Sequence, residues 1–167
     1  MQYQIKMMTP VSYAKYGQVL VLPTDQPPAF SLDYVDFWNS PLTYEIKGAT
    51  DIGICVVKKK RRGYIDLLER HLASEEVTVP LDGDMVIAVA PGKDVNDPDE
   101  VPDPKEIEVF LVRQKQTFTM YPGVWHGAPF AIDGNYLSML VFLKHDTFHN
   151  DGQFREIEPP VEFDLDL

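Results

Sequence analysis

Past residue 50 the chain is written in short apolar runs. Val, Ile, Leu, Phe and Tyr cluster, and Gly, Pro or Asp closes each cluster. That punctuation predicts strands at 51–58, 64–71, 76–80, 85–90, 107–112, 117–121 and 136–143. Two more precede them, an edge strand at 2–8 and a strand at 18–22. Thr9-Pro10 is a helix start, with Thr as cap and Pro in the first turn, and Gly17 is a stop. One short helix is therefore expected near 10–16. Many short strands with turn signals between them predict an all-β barrel or sandwich.

The intervening segments are polar. Residues 23–28 read as a loop. Residues 33–39 carry Tyr34, Phe37 and Trp38, which either line a cavity or pack in a core. Residues 91–104 are acidic and hold Pro91, Pro98, Pro102 and Pro104, so an exposed excursion is expected rather than a domain boundary. The acidic stretch after Asn150 is expected to pack on the outside or fray. His145 and His149 have helical spacing, but Asn150 and Gly152 favour a loop, and no chemistry is assigned to them. With no repeat and no low-complexity linker, 167 residues make one domain, 1–167.

Composition narrows the partners. The formal net charge is −11, from 15 basic and 26 acidic residues. Nucleic acid and anionic membranes attract basic surfaces, so neither is an expected partner. No apolar run approaches the ~20 residues of a membrane span, and residues 1–8 are too polar for a signal peptide. A single cysteine, Cys55, fits a reducing cytoplasm. It lies in the apolar run 52–57 and is expected to be buried and inert.

Two stretches suggest chemistry. Glu69 and His71 are two apart on a predicted strand, so both project from one face. Glu76 begins the next strand, and Asp82-Gly83 reads as a tight turn. Later come Tyr121-Pro122-Gly123-Val124-Trp125-His126. The pattern Glu69-x-His71-x4-Glu76-x6-Gly83, with Pro122-Gly123-x2-His126, resembles the paired motifs of the cupin superfamily. Leu67 to His71, Val79 to Asp84, Val124 to His126 with Pro129-Phe130, and Tyr13 to Val19 narrow the likeness. Together they resemble the ureidoglycolate lyase family, formerly called ureidoglycolate hydrolase.

The resemblance implies a cupin-type double-stranded β-helix barrel with Glu69, His71, Glu76 and His126 facing its interior. It implies a divalent metal, Ni, Zn or Mn, on those four residues, whose oxygen and nitrogen donors suit such ions. It implies a lyase of purine and allantoin catabolism that releases urea from ureidoglycolate or a related small ureido or hydroxy acid. His126 or Glu76 would be the base, and Tyr121 or His71 the donor. Family members are similar to dimers, so a homodimer is expected, with residues 2–8 reaching to the partner. Three positions depart from the family pattern. Tyr121 stands where relatives have His, Glu76 where they have Gln, and Cys55-Val56-Val57 on a strand where they carry Arg. With that cation missing, the run 58–62 is the expected steering group. Lys58, Lys59 and Lys60, with Trp125, are then the expected substrate-binding residues. A binding cupin without turnover, or another metal-dependent cupin enzyme such as an isomerase or dioxygenase, would use the same residues.

Overall fold

Strand β8, Met85–Ala90, is buried at every position. A strand covered on both faces must be apolar throughout, which this run is. Its alternation divides the molecule. Met85, Ile87 and Val89 enter one core, and Val86, Ala88 and Ala90 enter another. The computed structural model that places them describes residues 2–21, 26–58, 62–132, 134 and 136–165.

The larger sheet contains β1 (Gln2–Tyr3), β2 (Ile5–Met7), β6 (Gly63–His71), β8, β9 (Glu108–Val112), β11 (Trp125–His126), β12 (Phe130–Ala131) and β14 (Gly152–Phe163). Its order is β1-β14-β6-β11-β8-β9-β2, with β12 also on β8. The two ends of that order, β1 and β2, are consecutive in the chain, so the sheet must curl. One core fills the curl, from Ile65, Leu68, Val109, Trp125, Phe130, Val161 and Phe163 among others. The smaller sheet runs β10-β7-β13-β5, from Phe118–Met120, Glu76–Pro80, Leu137–Lys144 and Thr50–Val57. The other core lies between the sheets, where Ile87, Phe110 and Val112 meet Phe118, Met120, Leu137 and Met139. The all-β double-sheet barrel expected for a cupin is the observed architecture.

Several elements differ from expectation. Residues 10–16 form turns, not a helix. The cap is there: Ser12 N donates to Thr9 Oγ1 and Thr9 N to Ser12 Oγ, both at 3.0 Å. Packing stops the helix from growing, because Tyr13 and Tyr16 are wholly buried among Phe110 and Phe118. Gly17 then leaves against the neighbouring strand, where a Cβ would sit 1.8 Å from the Thr119 carbonyl oxygen. The one α-helix among the described residues is α1, Thr147–Asn150, in place of the expected loop. The stretch after Asn150 does not fray: β14 pairs with β6 and carries Ile157, Val161 and Phe163 into the core. Its ladder shifts register between Glu156 and Val161, where Pro159 and Pro160 have no N–H to donate.

Residues 2–3 and 5–7 are engaged as strands of the larger sheet. They pair in parallel within their own chain, Gln2–Tyr3 on β14 and Ile5–Met7 on β9. Of the expected strand 18–22, only a Val19–Phe118 bridge is seen among the described residues. The aromatic segment around Phe37 is neither cavity wall nor core. It forms a hairpin of β3 (Phe30–Leu32) and β4 (Val35–Phe37), exposed throughout.

Candidate active site

Strand register brings the site together. His126 of β11 lies directly opposite Glu69 of β6, and His71 follows Glu69 by two on the same face. Glu76 opens β7 in the facing sheet. All four line one cavity of about 440 Å³ between the sheets. Met85, Ile87, Met139, Val141 and Leu143 form much of the remaining wall, and the exposed Ile54 and Phe148 flank its opening.

The four polar groups face each other at unusual distances. His126 Nε2 is 3.5 Å from Glu69 Oε1 and 3.6 Å from Glu76 Oε2, and His71 Nε2 is 3.4 Å from the same Glu76 oxygen. These are too long for good hydrogen bonds. They suit donors around an ion: a tetrahedral centre with bonds of about 2.1 Å separates its ligands by about 3.4 Å. One donor atom each from Glu69, His71 and His126 lies within 4.8 Å of the others. His126 Nδ1 rests 3.2 Å from the Val124 carbonyl oxygen, which anchors that nitrogen and turns Nε2 to the cavity. His71 Nδ1 is buried without a protein partner. Two carboxylates, two imidazoles and an orphaned nitrogen, with no Lys or Arg lining the cavity among the described residues, fit a divalent metal.

Electrostatics agree with that donor set. Burial disfavours a charge on His126, but Glu76 and Glu69 outweigh it and push its pKa up to about 9. Burial likewise opposes ionisation of Glu76, yet His126, His71 and the Thr78 hydroxyl together hold its pKa below the usual value. Thr78 Oγ1 donates to Glu76 Oε1 at 2.9 Å.

Other expected site residues are placed elsewhere. Trp125 does not face the cavity. It is fully buried in the core of the curled sheet, its indole N–H donates to Glu100 Oε1 at 3.0 Å, and Arg70 lies 4.5 Å over its ring. Adjacent strand residues point to opposite faces, so Trp125 and His126 cannot share the cavity. Tyr121 is 37% exposed and does not line it. Lys58 is exposed at the far end of β5, beyond Val57, while Gly53 to Cys55 form the wall. Lys59 and Lys60 lie outside the described residues. Cys55 is half-buried rather than buried, packed against the core between the sheets. It faces the cavity, and burial, then the charges of Glu76 and Glu69, push its thiol pKa up. Thr78 went unremarked in the sequence, although it follows Glu76 by two on one strand and must share its face.

Arg70, between Glu69 and His71, takes the opposite face as strand alternation requires. Its guanidinium pairs with buried Glu100 at 2.9 Å and donates to the carbonyls of Asp94 and Asp97. The acidic excursion is thereby fastened behind the site.

Fold and cavity define a double-sheet β-barrel of the cupin type with a histidine–carboxylate centre between its sheets. The chain belongs to the ureidoglycolate lyase family, whose model matches residues 1–164. A curated ureidoglycolate lyase from Schizosaccharomyces pombe is 31% identical over 104 residues, 59% of this chain and 52% of that protein. The chain thus spans about half the length of the curated relative it matches. Among solved structures, a dTDP sugar isomerase from Desulfovibrio desulfuricans aligns at TM-score 0.46 and 14% identity, over 86% of this chain and 83% of that one. RmlC from Streptococcus suis, in complex with dTDP-D-xylose, aligns at 0.36 and 9%, over 57% and 43%.

Proposed function

We propose that the chain is a ureidoglycolate lyase, breaking the C–N bond of ureidoglycolate to give glyoxylate and urea. What carries this reading is the meeting of Glu69, His71, Glu76 and His126 in one cavity of a chain from that family. Glu69, His71 and His126 would hold Ni, Zn or Mn, with Glu76 beside them. Bound there, the metal would supply positive charge to the substrate carboxylate and hydroxyl and lower the hydroxyl pKa. An anion enclosed without a counter-charge is costly, and no Lys or Arg lines the cavity among the described residues.

Glu76 is the proton carrier. Its lowered pKa keeps it ionised at neutral pH, and Thr78 holds one oxygen while the other points at the histidines. It takes the C2 hydroxyl proton as the new carbonyl forms. It returns that proton to the urea nitrogen as the C–N bond breaks. The proton balance closes and no electrons are exchanged. Tyr121 is the weaker candidate donor, because it does not line the cavity.

The test is release of urea and glyoxylate by purified protein loaded separately with Ni, Zn or Mn. Glu76→Gln should lower kcat by on the order of 10²–10⁴. No urea from any loaded form would end the lyase reading and favour a small-molecule binding cupin. The lyase reading places the protein in the cytoplasm, in purine and allantoin breakdown. A homodimer is part of the proposal, supported by an edge of β5 with no strand partner and by the exposed β3–β4 hairpin, both among the described residues.

A further inference from the structure

We propose that the site has an apolar annex and accepts 2-hydroxy and ureido acids bearing a neutral apolar substituent. This rests on the lyase reading for the polar head of the ligand and goes beyond it for the tail.

Glu69 and His126 border two spaces. One is the main cavity. The other, of about 270 Å³, is walled by Ile65, Asp66, Leu67, Leu68, Ala128 and Phe154 as well as Glu69 and His126. Strand geometry explains the adjacency. Leu67 precedes Glu69 by two on β6 and shares its face, and Phe154 of β14 lies opposite Glu69 in register. The polar centre therefore stands between two apolar chambers. Leu67 and Phe154 are 47% and 42% exposed, and Phe154 meets the 72%-exposed Phe148 at a ring separation of 6.4 Å. An apolar path runs from the centre to solvent.

Size and polarity choose the ligand. A main cavity of about 440 Å³ has room for on the order of fifteen waters, more than ureidoglycolate's nine non-hydrogen atoms would displace. Apart from the shared Glu69 and His126, Asp66 is the one ionisable residue of the annex among the described residues. It would repel a second carboxylate, so the tail is neutral. For a substituted ureidoglycolate the chemistry is unchanged: the C–N bond breaks, the hydroxyl proton passes to the leaving nitrogen, and a substituted urea departs.

The test is binding to metal-loaded protein by calorimetry, using lactate, 3-phenyllactate and 2-hydroxyglutarate. Phenyllactate should bind about tenfold or more tighter than lactate, and hydroxyglutarate should show no gain. Leu67→Asp and Phe154→Asp should each cut the phenyl preference to less than about threefold, and Asp66→Asn should improve hydroxyglutarate. Should Leu67→Asp fail to fold, Leu67→Ser at this exposed position replaces it. No phenyl preference, or one the variants leave intact, overturns the annex. So does failure of all three acids to bind. If the variants instead split a dimer in sedimentation and leave the preference, the rim is a protein contact and the proposal falls. Urea release measured in parallel separates the two readings. Turnover without phenyl preference defeats the annex alone, and a Leu67-dependent preference without turnover defeats the lyase alone.

Discussion

Single residues decide whether the cavity holds an ion. His71→Ala or His126→Ala should reduce divalent-metal affinity by at least on the order of 100-fold, since even outer partners of a ligand cost 10–100-fold. Equilibrium dialysis with metal analysis checks this, and circular dichroism should show the sheets intact. A second residue-scale prediction concerns Glu100. Burial opposes its ionisation, but the N–H groups of Asp94 and Lys93, the Trp125 indole and Arg70 hold its pKa at about 2. The folded value lies below the unfolded one, so the stabilisation is present above the unfolded pKa of about 4.3. It is lost as pH falls from there through about 2. Glu100→Gln should cost a few kcal/mol at pH 7, because Arg70 is left buried and unpaired, and it should flatten the acid limb of the stability curve. Urea melts at pH 7 and pH 3 measure both. At this scale the sequence was informative for Glu69, His71, Glu76 and His126, whose spacing follows strand geometry. It was misleading for Trp125, because its strand neighbour His126 takes the cavity face, and for the burial of Cys55, which lies in an apolar run yet is half-buried on the cavity wall.

Elements were legible where one face is apolar and Gly, Pro or Asp closes the run, as in 76–80 and 85–90, which match β7 and β8. They were illegible where pairing is remote. β14 alternates glutamates with apolar residues and is interrupted by Pro159-Pro160, so its pattern looks like a tail, and only β6 makes it a strand. The hairpin β3–β4 shows the reverse. Phe30 opposes Phe37 and Leu32 opposes Val35, giving one apolar face, while Ser31 bonds Asp36 on the other. These four apolar residues are 42–55% exposed. A two-stranded hairpin alone is marginal in water, so a cover is expected. Replacing Phe30 and Phe37 together by Ser should weaken self-association at least tenfold in sedimentation equilibrium. Unfolding free energy should change by no more than about 0.5 kcal/mol per site, as for exposed positions.

For the molecule as a whole, metal held at the proposed centre would be coupled to stability. A site that exists only in the folded state stabilises it by about 2.7 kcal/mol when metal is at 100 times its dissociation constant. At this chain length that is roughly 5–10 °C in Tm, so a chelator should lower the melting temperature by that amount and stop urea release together. Scanning calorimetry with and without chelator measures the shift.

The remote pairing of β1 and β2 has a consequence in time. Gln2–Tyr3 finds its partner at Glu162–Phe163, and Ile5–Met7 finds its own at Val109–Leu111. During synthesis Ile5–Met7 can pair once Val109–Leu111 has emerged, and Gln2–Tyr3 only once Glu162–Phe163 has. Until then the β1 margin of the larger sheet stands open, and Gln2–Tyr3 is fastened after Ile5–Met7. Closing so distant a pair carries a large loop-entropy cost, which places refolding among the slow, milliseconds-to-seconds domains. The nascent chain is most vulnerable to sticking or cleavage just before β14 emerges.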